Sequence, residues 1–178
     1  GRIAGIVRRV RDYYRPGHER LEPTDLRVVL DNVLSLSGKE LLHRQISVER
    51  FDSSDLPPIQ ANPDHLRQVF LNLVLNAADA MPDGGVLRVR TGLAEIQRTG
   101  REPPQPAVCV EVSDTGHGMS PDVQAHLFEP FFTTKERGAG LGLSISYSIV
   151  EAHNGQISVT SELGSGTTFR TLLPTALA

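Results

Sequence analysis

The 178-residue chain has no tryptophan, one cysteine and only 5% aromatic residues. A platform that stacks nucleic-acid bases needs aromatic rings, and a surface that tracks phosphates along a strand needs a basic excess. The formal net charge is −3, so nucleic acid is not expected as a main partner. No apolar run is long enough to span a bilayer, and no secretory pattern stands at the start, so no membrane segment is expected in this stretch. The lone cysteine, Cys109, cannot form an internal disulfide and lies within an apolar strand pattern. Its expected role is that of a small buried hydrophobe, and a reducing cytoplasm is the expected compartment.

What the chain does contain is an ordinary soluble composition, 39% hydrophobic and 22% charged, at a length that supports one domain with a substantial core. Ile3, Ile6, Val7, Val10 and Tyr14 share one helical face, and Pro16-Gly17 ends that helix. The helix has no cap at its start, as though continued from a longer segment. A second helix is expected from Thr24, read as its N-cap, to about Leu42. "QISVERF" alternates as a strand and "DSSDLPPIQ" reads as a loop. Asn62-Pro63-Asp64 is a helix start with a cap, a first-turn proline and an acid near the positive end of the dipole.

Further on, "VLRVRTG" reads as a strand and the proline-rich "EIQRTGREPPQP" as a surface hairpin loop. In "VCVEVSDTGHGMS", Val108, Val110 and Val112 alternate with Cys109, Glu111 and Ser113, and the strand ends at Asp114. A short helix starts at Ser120-Pro121, and another spans Leu143 to His153, ending at Asn154-Gly155. "QISVTS" and "TTFRTLL" form a hairpin through "ELGSG". The sum is an α+β domain, with helices on one face of a mostly antiparallel sheet.

Two features carry chemistry. The helix "DHLRQVFLNLVLNAADAM" is apolar around most of its circumference, through Leu66, Val69, Phe70, Leu71, Leu73, Val74, Leu75, Ala77 and Ala78. A narrow arc holds His65, Gln68, Asn72, Asn76 and Asp79. Buried carboxamides need partners, so the asparagines either bond neighbouring backbone or face a polar guest such as a metal and phosphates. Asparagine oxygens suit Mg²⁺, a hard cation that shares phosphate ligands. The second feature is glycine-rich. Gly138, Gly140 and Gly142 run into a helix beginning near Leu141, and amides at such a start suit an anion. Phe128, Phe131 and Phe132, followed by Lys135 and Arg137, read either as a hydrophobic anchor with solvated charges or as a mobile lid with phosphate-seeking cations.

"NLVLNAADAM", "DTGHGMS", "FEPFFTTK", "GAGLGLSIS" and a final "GSGTTF" resemble, in order and wording, the ATP-binding domain of bacterial sensor histidine kinases. That family shares a superfamily with gyrase, the mismatch-repair ATPases and the heat-shock chaperone ATPase. The match runs from about Leu21 to Pro174, and its wording is closest to nitrogen-regulation and dicarboxylate-sensor kinases. The resemblance implies a Bergerat-type two-layer α+β fold, with residues 17–178 as the ATP-binding domain and 1–16 as the end of a dimerisation and phosphoacceptor hairpin.

It implies that Asp114 accepts the adenine amino group, with Thr167 nearby through water, and that Asn76 is the main Mg²⁺ ligand with Asn72 beside it. Gly116 and Gly118 would let the chain pass the nucleotide. Lys135 would contact phosphate, and the amides of Gly140, Leu141, Gly142 and Leu143 would receive the phosphates. The implied partners are ATP, the hairpin of the same protein and a response-regulator receiver domain, in a cytoplasmic and homodimeric parent that leaves room for a membrane anchor elsewhere.

Two departures qualify the match. Gyrase-type members carry a catalytic glutamate where Asn72 stands, so a hydrolysing machine is not expected. Asp79 replaces a basic residue that would reach phosphates in some kinases. His18-Glu19 followed by Pro23 copies the letters of an acceptor box, but Pro16-Gly17 forbids the long helix such a box needs. The acceptor histidine is therefore expected to lie outside this chain. Two rivals from other classes are a serine kinase of the anti-sigma type, against which the residues 2–14 helix argues, and a non-catalytic nucleotide-binding scaffold.

Overall fold

The computed structural model describes residues 20–175. The expected first helix, the Pro16-Gly17 stop and His18-Glu19 lie outside the described residues. In chain order the elements are β1 (Glu22–Thr24), α1 (Leu26–His43), β2 (Ile46–Phe51), β3 (Ile59–Ala61), α2 (Pro63–Asp79), β4 (Gly85–Arg98), β5 (Arg101–Asp114), α3 (Pro121–His126), α4 (Gly142–Ala152), β6 (Gln156–Glu162) and β7 (Gly166–Pro174).

The valines of β5 build the centre of the molecule. Val108, Val110 and Val112 are at most 2% exposed, and they point from one face of the sheet onto the helices. β5 lies third in a five-stranded sheet ordered β2-β4-β5-β7-β6, in which only the β2–β4 pair is parallel. α1 packs on α2, and α2 on α4 and on β4 and β5. The core between the layers is filled by Phe70, Leu30, Leu66, Leu73 and Leu87, each essentially inaccessible. This is the expected two-layer α+β arrangement of a mostly antiparallel sheet with helices on one face.

The start of α2 follows the residues closely. Asn62 Oδ1 accepts from the Asp64 and His65 amides at 2.9 and 3.2 Å, and Pro63 takes the first position, where no N–H is needed. Of the apolar residues on this helix, Leu75 differs from expectation: it is 37% exposed.

Three local expectations are corrected. Asp25, not Thr24, caps α1, its Oδ1 accepting from the Arg27 amide at 2.9 Å. Thr24 is instead drawn into β1 opposite Ile59, so the expected loop "DSSDLPPIQ" ends in a short strand, and a separate two-stranded sheet forms. The proline-rich stretch is also no loop: β4 and β5 pair through it, Glu95 with Pro106 and Ile96 with Gln105. β7 pairs with β5 from Ala107 onward and the Thr175 amide donates to the Pro106 carbonyl, so the edge before Pro106 is not paired with β7 and missing N–H groups are tolerated there.

Candidate nucleotide site

β5 carries Asp114 to the end of the sheet, opposite Leu87 on one side and Thr167 on the other. The half-buried carboxylate accepts the Gly116 amide at 2.8 Å. Burial holds its pKa above the ordinary carboxylate value, although amide donation from Gly116 and Thr167 and the nearby His117 pull the other way. Thr167 is buried, and its hydroxyl is 2.8 Å from Ser161 Oγ, which also takes the Met119 amide at 2.8 Å. The pair Asp114–Thr167 is thus fixed on three sides by backbone and hydroxyl groups.

The chain after Asp114 is clamped rather than loose. The His117 amide donates to the Ala80 carbonyl at 3.1 Å, and a Cβ on Gly116 would lie 2.4 Å from that same oxygen. Gly118, at φ +67°, leaves 1.9 Å between an imagined Cβ and the Glu162 carbonyl oxygen. Both glycines admit close passage of the protein's own backbone. Gly118 lines the cavity and Gly116 lies behind it.

The asparagine stripe of α2 forms the opposite wall. Asn72 Nδ2 donates to the buried Ser146 Oγ at 3.2 Å, so Asn72 is tied to α4. Asn76 Oδ1 accepts from the Lys135 ammonium at 2.8 Å, and Asp79 lies 2.5 Å from that ammonium. α4 begins at Gly142 with Leu141 in the cap position and no side-chain acceptor for its first amides. Those amides carry the positive end of the helix dipole to the cavity edge.

Phe128 is the apolar foot of the intervening loop, its ring 5.5 Å from Tyr147 and 6.4 Å from Phe169. Phe131 departs from the anchor expectation: it is 52% exposed and sits at φ +67°, its amide donating to Gly140 at 2.8 Å. Phe132 lines the cavity, and Arg137 is exposed.

Around one cavity of about 390 Å³ the fold gathers Asn72, Asn76, Asp114, Gly118, Lys135, Gly140, Leu141, Gly142, Leu143 and Thr167; of the expected site residues, only Gly116 stands outside the lining. Sequence reasoning missed the apolar floor beneath Asp114, formed by Met119, Val123, Leu127 and Phe169. Val123 and Leu127 stand four residues apart across α3 and its cap, a signal too short to assign from periodicity. His117, expected as an exposed loop residue, is exposed and also faces the cavity, its Nδ1 2.8 Å from the Gly118 carbonyl.

The oxygens around Lys135 fit a hard dication. A carboxamide oxygen and a carboxylate oxygen converge on one cation there, the donor chemistry Mg²⁺ prefers. Among the described residues no cluster of three His, Cys, Asp or Glu side chains forms a metal cage. The donor set is therefore one for a cation that brings further ligands, such as phosphates, with it.

A two-layer α+β fold with a carboxylate at a strand end, asparagines on the facing helix and a glycine-led helix start is the arrangement of an ATP-binding domain. The chain belongs to the family described as histidine kinase-, DNA gyrase B- and HSP90-like ATPases, whose profile matches residues 61–177. It is 38% identical over 174 residues to the sensor histidine kinase ZraS of Escherichia coli (strain K12), covering 97% of this chain and 35% of that one. It is 46% identical over 120 residues to sporulation kinase E of Bacillus subtilis (strain 168), covering 67% and 15%. The crystal structure of full-length ShkA in complex with AMPPNP superposes with a TM-score of 0.73 at 33% identity, covering 89% of this chain and 32% of that one. The chain thus spans about a third or less of the length of these relatives. Among the described residues no helix is long and apolar enough to cross a membrane.

Proposed function

We propose that this chain is the ATP- and Mg²⁺-binding part of a sensor histidine kinase, which moves the ATP γ-phosphate to a histidine outside the ATP domain and thence to a response-regulator aspartate. The observation that carries this reading is the single cavity in which Asp114, the Asn72–Asn76 stripe and the open amides of α4 face one another. Asp114 accepts the adenine amine, beside the hydroxyl of Thr167. The amides from Gly140 to Leu143 receive phosphates, with Lys135 as the lid cation. Asn76 holds Mg²⁺, which when bound offsets phosphate charge. Asn72, tied to Ser146, offers an amide where a water-activating carboxylate would be needed for hydrolysis. Catalysis by this chain is positioning and charge compensation, as in other phosphoryl transfers.

In this reading residues 17–178 are the ATP domain and residues 1–16 continue a hairpin whose acceptor histidine attacks the γ-phosphorus, in a homodimeric parent. The ShkA likeness, at 33% identity to a protein seen with an ATP analogue, supports the nucleotide assignment. The test is to mix this chain, radiolabelled ATP and Mg²⁺ with the separate hairpin of the parent protein. Acid-labile label on the hairpin histidine is the expected result. Acid-stable label on a partner serine would instead establish the serine-kinase reading, and no transfer to either would leave a nucleotide-binding scaffold.

A further inference from the structure

Asp79 is the charged member of the α2 stripe that faces the cavity, and it is held from two sides. One carboxylate oxygen lies 3.1 Å from the Arg44 guanidinium, which also donates to the Ala78 carbonyl at 3.1 Å and is 2.5 Å from Glu40. Arg44 is therefore part of the scaffold joining α1 to α2. The other carboxylate oxygen meets the Lys135 ammonium at 2.5 Å, and that ammonium also reaches Asn76 Oδ1 at 2.8 Å. Lys135 belongs to the exposed loop between α3 and α4, 56 residues further along the chain.

An ammonium and a dication compete for Asn76 Oδ1, because two cations drawn to one oxygen repel each other at that distance. A triphosphate arriving with its metal brings two positive charges to these oxygens and releases Lys135 toward the phosphates. Arriving without metal, it brings only negative charge. If Lys135 then turns to the phosphates, Asp79 faces a polyanion with Arg44 alone to offset it. If Lys135 stays, the phosphates lose their lid cation.

We propose that Asp79 is a specificity-determining residue that makes this site accept a nucleoside triphosphate with its divalent cation and reject the metal-free form, Lys135 standing in for that cation while the pocket is empty. The inference rests on the reading of the cleft as a Mg²⁺-nucleotide site. Unit charges a few ångströms apart at a partly solvated site alter affinity by about tenfold, and that is the size of effect expected.

The experiment is calorimetric titration of the whole chain with ATP in Mg²⁺ and with ATP in excess chelator. The measured quantity is the ratio of the two dissociation constants. Asp79→Asn should tighten metal-free ATP by about tenfold and weaken Mg²⁺-ATP, whose cation loses the carboxylate charge beside it, so the ratio shrinks. Lys135→Gln leaves Asp79 with Arg44 alone to offset its charge and removes the competitor for Asn76, so the ratio widens. Because Lys135 is on an exposed loop, this variant decides the matter even if Asp79→Asn fails to fold. An unchanged ratio in a folded Asp79→Asn variant, or no widening in Lys135→Gln, overturns the proposal while ATP binding to the unaltered chain keeps the site assignment. Absence of ATP binding to the unaltered chain in both conditions overturns the site assignment itself.

Discussion

Gly142 opens α4 directly over Asn72: a Cβ there would come 2.4 Å from Asn72 Oδ1. The helix start and the asparagine stripe are therefore one unit. The open amides of α4 are held at the cavity because nothing larger than a hydrogen stands between the two helices. Gly142→Ala should push the Asn72 amide aside and break its bond to Ser146, costing about 1 kcal/mol. A thermal melt should show a fall of a few degrees, together with weaker ATP binding by calorimetry.

Ser146 is the other half of that contact. It is 1% exposed and takes the Asn72 amide at 3.2 Å. Ser146→Ala leaves a donor without an acceptor at the helix interface, which costs about 1–3 kcal/mol. Chemical denaturation should show this loss. In the double variant Ser146→Ala with Asn72→Ala, the two costs should fall short of additive, because the second change removes the orphaned group.

His153 supplies a pH dependence. Its Nδ1 lies 2.8 Å from the Ile149 carbonyl, and its Nε2 accepts the Asn62 amide at 3.1 Å, so the buried ring is neutral with its proton on Nδ1. Burial pushes its pKa below the ordinary 6.5, with His65 acting in the same direction and the Ile149 bond opposing. A depressed histidine pKa means that the unfolded chain takes up the proton first. The contribution of His153 to stability is then complete above pH 6.5 and is lost as pH falls from there toward the depressed folded value. Denaturation curves between pH 8 and pH 5, run at ~one-unit steps, should show a steeper loss for the unaltered chain than for His153→Gln.

How far the chain discloses itself before folding depends on the range of the interaction. The cap of α2 is readable because Asn62 bonds its own neighbours, and β5 is readable because Val108, Val110 and Val112 obey a local alternation. Thr24 misleads because two good caps stand side by side and the choice is settled by pairing with β3, 37 residues away. The prolines of residues 103–106 mislead because their tolerance depends on where β7 stops. In the site, motif order exposed both walls of the cavity, whereas the Lys135–Asp79 contact bridges segments with no local signature. The apolar floor was hidden for the same reason, since Met119 comes from the loop before α3, Leu127 from the cap that follows α3, and Phe169 from β7.

Cys109 has a simple chemical consequence. It is buried, burial pushes its thiol pKa up, and Arg170 Nε donates to its sulfur at 3.3 Å. A thiol kept protonated and covered should react slowly. Alkylation at neutral pH should be far slower in the folded chain than in denaturant, with mass spectrometry as the readout.

The account turns on Asp114 meeting an amine at the floor of the cavity. ATP offers that amine, whereas GTP presents a carbonyl oxygen at the same ring position and would leave the carboxylate facing an acceptor. Competitive titration of the unaltered chain with the two nucleotides in Mg²⁺ tests this most directly. ATP should bind at least about a hundredfold more tightly than GTP, the scale on which a site built around a hydrogen bond rejects a partner that cannot make it. Equal affinities for ATP and GTP, or an unchanged preference in Asp114→Asn, would contradict the account.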